Sequence, residues 1–133
     1  MLIYCDSVIL IYYLDQAGPW QATAAARLAA ARVAGDSLVI SDLTRLECRV
    51  GPVRTGDAQL LAKFDGFFAL PDVQKAALTV AVFDRATQIR ATTAVRTADA
   101  IHLAAAIEHG CGLFLTNDAR LKTLPALPVE QLS

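Results

Sequence analysis

Short apolar runs alternate with longer helical segments along the chain, and this alternation constrains the fold more than any other feature. Three runs have the length and composition of buried strands: Leu2 to Cys5, Ser37 to Ile40, and Leu113 to Leu115. A weaker strand is predicted from Val73 to Leu78, and a final extended piece lies around Val129. Apolar strands separated by helices are typical of a parallel sheet that is covered on both sides. The pattern therefore predicts an α/β fold with helices on both faces of the sheet.

The segments between these strands have the periodicity and the end signals of helices. The predicted ranges are Val8 to Leu14, Trp20 to Ala34, Asp42 to Val50, Thr55 to Ala69, Thr79 to Thr93, and Ala98 to Glu108. We expect Ser41 and Thr97 to cap the third and sixth helices, and Gly51-Pro52 to end the third. The predicted inward-facing residues are Leu43, Leu46 and Val50 on the third helix and Phe64, Phe67 and Phe68 on the fourth, the latter in the core or in a dimer contact.

Composition indicates one domain that shares part of its surface with a partner. A chain of 133 residues can close a single hydrophobic core without disulfides or metals. Hydrophobic residues make up 55% of it, and the mean hydropathy is +0.42, which predicts apolar surface covered by another chain, most simply in a homodimer. Lys and Arg total 12 against 13 for Asp and Glu, so overall charge does not draw the protein to polyanions. Any site for a polyanion must be local.

Cysteine usage and the N-terminal sequence indicate a cytoplasmic protein. Cys5, Cys48 and Cys111 are odd in number and widely spaced, which fits neither a disulfide framework nor a zinc site and favours buried thiols in a reducing compartment. The apolar N-terminus has no basic leader and contains Asp6, so a signal peptide is not expected. No window of membrane-spanning length lacks charge or strong polarity, so we expect no membrane association.

Four acidic residues occupy boundaries between predicted elements. Asp6 and Asp118 follow strands, whereas Glu47 and Asp99 lie early in helices that follow loops. Each has an ordinary structural explanation, because a carboxylate can cap a helix, close a turn or interact with a helix dipole. Considered together, however, these positions converge at the carboxyl edge of a parallel sheet. Converging carboxylates raise one another's pKa unless a cation neutralises them, and an all-oxygen cluster favours Mg²⁺ or Mn²⁺ over zinc.

The motifs around these acids resemble those of a known family. They are Asp6-Ser7 after the first strand, S-D-L-T-R-L-E ending at Glu47, T-A-D-A-I-H-L-A-A-A around Asp99, and L-T-N-D ending at Asp118. In order and spacing they resemble the PIN-domain family, specifically the VapC-type ribonuclease toxins of bacterial and archaeal toxin–antitoxin pairs. The resemblance spans nearly the whole chain.

The resemblance implies a fold and an activity. The expected fold is a PIN-like three-layer α/β/α sandwich with a mostly parallel sheet of four to five strands, formed by a single nuclease domain over residues 1–133. The expected activity is Mg²⁺-dependent endoribonuclease cleavage of an RNA such as tRNA or rRNA, leaving a 5′-phosphate and a 3′-hydroxyl, with Mn²⁺ as a substitute ion. The expected partners are a cognate antitoxin protein, the RNA substrate and a second copy of the chain.

The resemblance also assigns roles to residues. Asp6, Glu47, Asp99 and Asp118 correspond to the acidic pocket of the family. Asp6 and Asp99 are expected to coordinate Mg²⁺ directly, Asp118 to contribute to the metal site partly through water, and Glu47 to act partly through water. Ser7 and Thr116 are expected to support the site with their hydroxyl groups.

Other polar residues near the motifs have two interpretations each. His102 lies three residues after Asp99 and could reach the same ion, but a histidine hydrogen-bonded to a neighbour on an apolar helix is the favoured interpretation. Arg45, Arg49 and Arg96 are the arginines best placed to bind RNA phosphates. Solvated surface charge is the ordinary alternative for each of the three.

Two other functions remain open from the sequence. One is a non-catalytic PIN-like domain that binds RNA or another protein without turnover. The other is a metal-dependent phosphatase acting on small phosphoesters, although the chain reads Asp6-Ser7-Val8 where an aspartyl-phosphate hydrolase would need D-x-D.

Overall fold

A parallel sheet lies between two layers of helices in the computed structural model, which describes residues 1–15 and 18–133. The strands are β1 Leu2–Cys5, β2 Ser37–Ile40, β3 Val73–Lys75, β4 Leu113–Thr116 and β5 Val129–Gln131. Their order in the sheet is β3-β2-β1-β4-β5, and every neighbouring pair is parallel. The predicted three-layer α/β/α sandwich is confirmed.

Six helices connect these strands within the described residues. They are α1 Ser7–Leu14, α2 Gln21–Val33, α3 Asp42–Thr55, α4 Ala58–Phe68, α5 Val80–Thr92 and α6 Thr97–Glu108. Each overlaps a predicted helix, and the differences lie at the ends. In the part of the chain that the structure describes, no helix is both long enough and apolar enough to cross a lipid bilayer.

The two faces of the sheet are covered by different helices. Ile3 and Cys5 of β1 point into one core with α1 to α4, and Tyr4 between them points into a second core with α5 and α6. This alternation follows from the two-residue repeat of a strand. Phe64, Phe67 and Phe68 are buried in the first core, which confirms that this aromatic stripe faces inward.

The prediction that Gly51-Pro52 ends α3 is wrong. The helix continues to Thr55 with Pro52 buried inside it, and it ends where Gly56 adopts a φ of 73°. Proline removes one backbone hydrogen bond, but that loss alone does not stop a helix whose next turn packs against the core. The left-handed residue that ends such a helix is Gly56. Consequently α4 begins at Ala58, where the Asp57 carboxylate accepts a hydrogen bond from the Leu60 amide at 3.0 Å.

The prediction for the buried face of α3 is also wrong. Leu46 and Val50 are 62% and 46% exposed, and the buried residues of α3 are Thr44, Cys48 and Pro52. A reciprocal capping box sets this rotation, because the Ser41 amide donates to the Thr44 hydroxyl at 3.1 Å and directs that side chain inward.

Three smaller boundaries differ as well. Thr97 does not cap α6, since Arg96 occupies that position and the Thr97 hydroxyl accepts a hydrogen bond from Arg90 at 2.6 Å. β3 ends at Lys75, opposite Ile40, because β2 provides no further residue to pair with it. β4 extends one residue further than predicted, through Thr116.

All three cysteines are buried thiols, as predicted. Burial raises the pKa of Cys5, Cys48 and Cys111 to about 12. Such thiols are protonated at neutral pH and therefore unreactive.

Candidate active site

The order of the strands creates a crevice between β1 and β4. These strands are neighbours in the sheet, but their connections leave in opposite directions, toward β2 and toward β5. Asp6 directly follows β1, Thr116 ends β4, and Asp118 lies two residues beyond it. In open α/β sheets, ligands bind at such a reversal point, outside the carboxyl ends of the strands.

An open pocket of about 320 Å³ lies at this crevice. Its lining comprises the four predicted acids Asp6, Glu47, Asp99 and Asp118 together with Ser7, Val8, Ile11, Tyr12 and Asn117. Residues from β1, α3, α6 and the β4 end, far apart in the sequence, therefore meet at one surface as the sequence predicted. Thr116 lies behind this surface and is fully buried.

Asp6 is held firmly at the base of the pocket. Its Oδ1 accepts a hydrogen bond from the Ser7 amide at 2.8 Å, and its Oδ2 accepts one from the Thr116 hydroxyl at 2.7 Å. Burial raises the pKa of Asp6 above its ordinary value, although the Thr116 hydrogen bond opposes this change. Asp6 thus caps α1 and also presents a desolvated carboxylate to the pocket.

Glu47 is held at the rim by two hydrogen-bond partners. Its Oε1 accepts a hydrogen bond from the Ser7 hydroxyl at 2.7 Å and lies 2.5 Å from Nε2 of His102. Burial favours a raised pKa for Glu47, but the hydrogen bond and charge of His102 and the Ser7 hydroxyl outweigh it, and the pKa is lowered. Glu47 is therefore ionised at neutral pH.

A buried polar chain behind Glu47 was not predicted from the sequence. His102 is 1% exposed, its Nδ1 lies 2.7 Å from the Tyr4 hydroxyl, and that hydroxyl lies 2.8 Å from Oγ of Ser41. An ionised carboxylate can only accept a hydrogen bond, so the His102 nitrogen that faces Glu47 must carry a proton. The favoured interpretation of His102 as a hydrogen-bonded residue of an apolar helix is confirmed. The signal for Tyr4 was a single hydroxyl inside an otherwise apolar strand.

Asp99 and Asp118 have contrasting surroundings. No hydrogen bond to the Asp99 carboxylate comes from any residue that the structure describes, and burial followed by the charges of Asp6 and Asp118 raises its pKa. Asp118 instead accepts hydrogen bonds from the Arg120 guanidinium at 2.6, 2.9 and 3.2 Å, and these lower its pKa. The ionised form of Asp99 is therefore the one that a bound cation would stabilise most.

The donor chemistry of the pocket fits a hard divalent cation. Its charged groups are carboxylates, which Mg²⁺ and Mn²⁺ prefer, and the raised pKa values of Asp6 and Asp99 reflect a desolvated negative charge that a cation would stabilise. In residues 1–15 and 18–133, no three His, Cys, Asp or Glu side chains are already grouped as metal ligands. Asp118 faces Arg120, so Asp6 and Asp99 are the residues best suited to hold an ion.

The fold places Arg45 and Arg49 together on α3 and Arg96 elsewhere, before α6. Arg49 pairs with Asp65 at 2.9 Å, and Arg45 lies over the Phe68 ring, with 6.0 Å between the guanidinium carbon and the ring centroid. Neither lines the acidic pocket. Arg96 lines a second cavity that has Asp99 in its wall.

Comparison with known proteins agrees with this architecture. The family described as PIN domain matches residues 3–127 of the chain. The protein belongs to the PIN domain family. No curated protein matches its sequence.

Solved structures with the same fold include toxin–antitoxin complexes and a toxin. VapBC2 from Rickettsia felis, bound to a DNA fragment from its promoter, has a TM-score of 0.81 at 16% identity and covers 100% of both chains. DNA-bound VapBC from Salmonella typhimurium has a TM-score of 0.76 at 20% identity, covering 98% of each chain. VapC20 of Mycobacterium tuberculosis, a toxin that cleaves the sarcin–ricin loop, has a TM-score of 0.69 at 15% identity, covering 84% of this PIN domain and 86% of that chain. At these identities the likeness establishes the fold.

Proposed function

We propose that this PIN domain is a metal-dependent endoribonuclease toxin that a cognate antitoxin neutralises. One observation carries the proposal: Asp6, Glu47, Asp99 and Asp118 line a single open pocket at the reversal point of a parallel sheet. Two of these carboxylates, Asp6 and Asp99, have raised pKa values, as expected where a cation is to bind. The VapBC structures that share the fold support the toxin assignment.

The residues of the pocket have distinct roles in this proposal. Asp6 and Asp99 would hold Mg²⁺, for which Mn²⁺ could substitute, and Asp118 would contribute partly through water. When bound, the ion would polarise the scissile phosphate and lower the pKa of a bound water. Thr116 and the Ser7 amide fix the Asp6 carboxylate, so that little reorientation is needed. Glu47 is ionised and held by Ser7 and His102, which suits it to accept a hydrogen bond from a water in the pocket and orient that water.

Cleavage of labelled RNA tests the catalytic part of the proposal. With Mg²⁺ present, we expect the wild-type protein to produce fragments with 5′-phosphate ends, and we expect Asp99→Asn to lower the rate by at least about a hundredfold. Asp84→Asn is the matched control, since Asp84 is exposed on α5 and does not line the pocket. Cleavage that survives unchanged in both Asp6→Asn and Asp99→Asn would reject the assigned site.

The substrate and the biological role need a second experiment. We propose a structured cytoplasmic RNA, either tRNA or rRNA, as the target. Induced expression should arrest growth with the wild-type protein and should not with Asp99→Asn at equal protein level. Sequencing of RNA ends after induction would then identify the cleaved RNA. New ends scattered over messenger RNA alone would contradict the proposed target.

An exposed apolar stripe on α3 supports a protein partner. Leu46, Val50 and Val53 are 62%, 46% and 60% exposed, and Glu47 of the pocket follows directly after Leu46. Large apolar side chains clustered on a surface are typical of protein interfaces. We propose that an antitoxin or the second subunit of a homodimer covers such surface. Light scattering at micromolar concentration tests the homodimer: it should show a dimer, and a strict monomer would contradict that assembly.

A non-catalytic PIN domain is the second candidate. Two observations favour it: Arg120 forms an ion pair with Asp118, and no three His, Cys, Asp or Glu side chains of the described residues are grouped as metal ligands. Binding of Mn²⁺ separates the two candidates, because an ion that binds the folded state raises its stability. A melting temperature that millimolar Mn²⁺ leaves unchanged would favour the non-catalytic domain.

A further inference from the structure

A second cavity adjoins the acidic pocket and has a different character. Its volume is about 380 Å³, at the lower end of the roughly 300–1,000 Å³ typical of ligand pockets. It lies between the segment before α6 and the segment after β4, and Asp99 belongs to the walls of both cavities. Arg96, Arg120 and Lys122 bring positive charge to it, while Val95 and Leu124 provide apolar wall.

Two of the three cations of this cavity lack an ion-pair partner within the described residues, although Asp99 lies in the same wall. Four arginines elsewhere are paired with carboxylates: Arg27 with Glu130, Arg32 with Asp72, Arg49 with Asp65 and Arg85 with Glu108. Neither Arg96 nor Lys122 has a carboxylate partner among the residues that the structure describes, and both are exposed. The cavity thus brings these two cations beside a group of acids, in a chain whose net charge is −1.

Cations combined with apolar wall match the two parts of a nucleotide. A phosphate pairs with guanidinium and ammonium groups, and the face of a base packs on apolar side chains. We propose that this cavity binds one nucleotide of single-stranded RNA beside the scissile phosphate, with the phosphate on Arg96 and Lys122 and the base against Val95 and Leu124. This inference rests on the proposed ribonuclease function. It places the RNA strand on the α6 side of the acids.

The α3 side offers a poorer path for RNA. Arg45 shares its own cavity with Asp42 and Asp65, and the neighbouring Arg49 is already paired with Asp65. Two acids in that cavity oppose a phosphate, whereas the proposed cavity has one, Asp99, and none of the residues on the α3 side lines the acidic pocket. Arg45→Ala therefore serves in the binding experiment as the variant that tests the α3 side.

Binding of a short fluorescein-labelled single-stranded RNA, measured by anisotropy in EDTA, tests the inference without cleavage. We expect Arg96→Ala and Lys122→Ala each to weaken binding about three- to fivefold at low salt. Each should also reduce the slope of log affinity against log salt by about 0.7, the value for one lost phosphate contact on a single strand. Arg45→Ala and Lys63→Ala remove one charge each outside the cavity and should bind as the wild type does. Arg96 makes no capping hydrogen bond with its side chain, so its replacement should leave α6 intact, which melting curves verify.

Each outcome of this experiment decides the inference. Normal binding by Arg96→Ala and Lys122→Ala would overturn it, as would equal weakening in all four variants, because the latter indicates bulk charge. Cleavage assays with Mg²⁺ distinguish failure of this inference from failure of the proposed ribonuclease function. A protein that cleaves RNA with unchanged KM in Arg96→Ala and Lys122→Ala is a nuclease without this nucleotide site. A protein that never cleaves, but binds RNA through Arg96 and Lys122, retains the site and is not a nuclease.

Discussion

Asp99 and Asp118 show how the same side chain acquires different properties from its neighbours. Both line the acidic pocket, but Arg120 neutralises Asp118, while Asp99 faces the negative charges of Asp6 and Asp118. The pKa of Asp99 is raised and that of Asp118 is lowered. In the absence of a cation, the ionised form of Asp99 therefore opposes folding, and that of Asp118 favours it.

Replacement of Asp99 by asparagine should stabilise the metal-free protein at pH 7. A raised folded-state pKa means that folding penalises the ionised carboxylate above that pKa, and asparagine removes this penalty. The side chain is partly exposed, so we expect a gain of at most about 1 kcal/mol in urea unfolding in EDTA. The gain should disappear near pH 3, below the ordinary pKa of 3.8, where Asp99 is protonated in both the folded and the unfolded protein. Asp84→Asn is the control, and an equal gain there would contradict the explanation.

Tyr4 provides a test of the buried polar chain. Tyr4→Phe removes the hydroxyl that lies between Nδ1 of His102 and Oγ of Ser41, both on buried residues. A buried polar group that loses its partner costs about 1–3 kcal/mol, so urea unfolding should show a loss of that size. Tyr13→Phe is the matched control, because no side-chain hydrogen bond of Tyr13 occurs in the described structure. Equal losses in the two variants would show that the chain does not contribute.

Local sequence signals predict the ends of the helices less well than the helices themselves. Gly51-Pro52 and Thr97 have the expected composition of a stop and a cap, yet α3 continues to Thr55 and α6 begins without a side-chain cap. Local signals compete with packing, and the burial of Pro52 extends α3 past its expected end. The positions of the helices were predictable, whereas their last turns depended on contacts with other elements.

Two glycines test this account of the α3 end. Gly56 has a φ of 73°, whereas Gly66 lies inside α4, and a Cβ added at either glycine would meet no atom of a packed neighbour within 4 Å. Gly56→Ala should cost about 1–2 kcal/mol because alanine is strained in the left-handed region. Gly66→Ala should gain about 0.5–1 kcal/mol because alanine is the better helix former. Thermal unfolding measures both, and a loss at Gly66 would contradict the assignment of steric freedom.

At the scale of the whole molecule, the strand order places the acids. The β3-β2-β1-β4-β5 order makes β1 and β4 neighbours, which brings Asp6 to Thr116 across 110 residues of sequence. Asp99 enters from α6, the helix before β4, and Glu47 from α3, the helix after β2. A different order of the same strands would separate these groups.

Stabilisation of the protein by Mn²⁺ should decrease as the pH is lowered. An ion at a hundred times its Kd stabilises a protein by about 2.7 kcal/mol. Asp6 and Asp99 must be ionised to bind it, and their pKa values lie above the ordinary 3.8. The Mn²⁺-dependent rise in melting temperature should be complete at neutral pH. As the pH is lowered, this rise should begin to decrease at a higher pH than it would at a site formed by aspartates of ordinary pKa. The rise should be absent in Asp99→Asn, and a rise that persists in that variant would place the ion elsewhere.

The sequence by itself determined the class of fold, the helices and strands, and the four acids. Each of these depends on a short stretch of sequence, namely apolar runs of strand length, helical periodicity, and carboxylates at element boundaries. Apart from the expected hydroxyls of Ser7 and Thr116, the tertiary structure alone decided which groups contact the acids. His102 of α6 and Tyr4 of β1 contact each other behind Glu47. Arg120 forms an ion pair with Asp118. These contacts depend on strand order and helix rotation, which are set by long-range packing that no local pattern encodes.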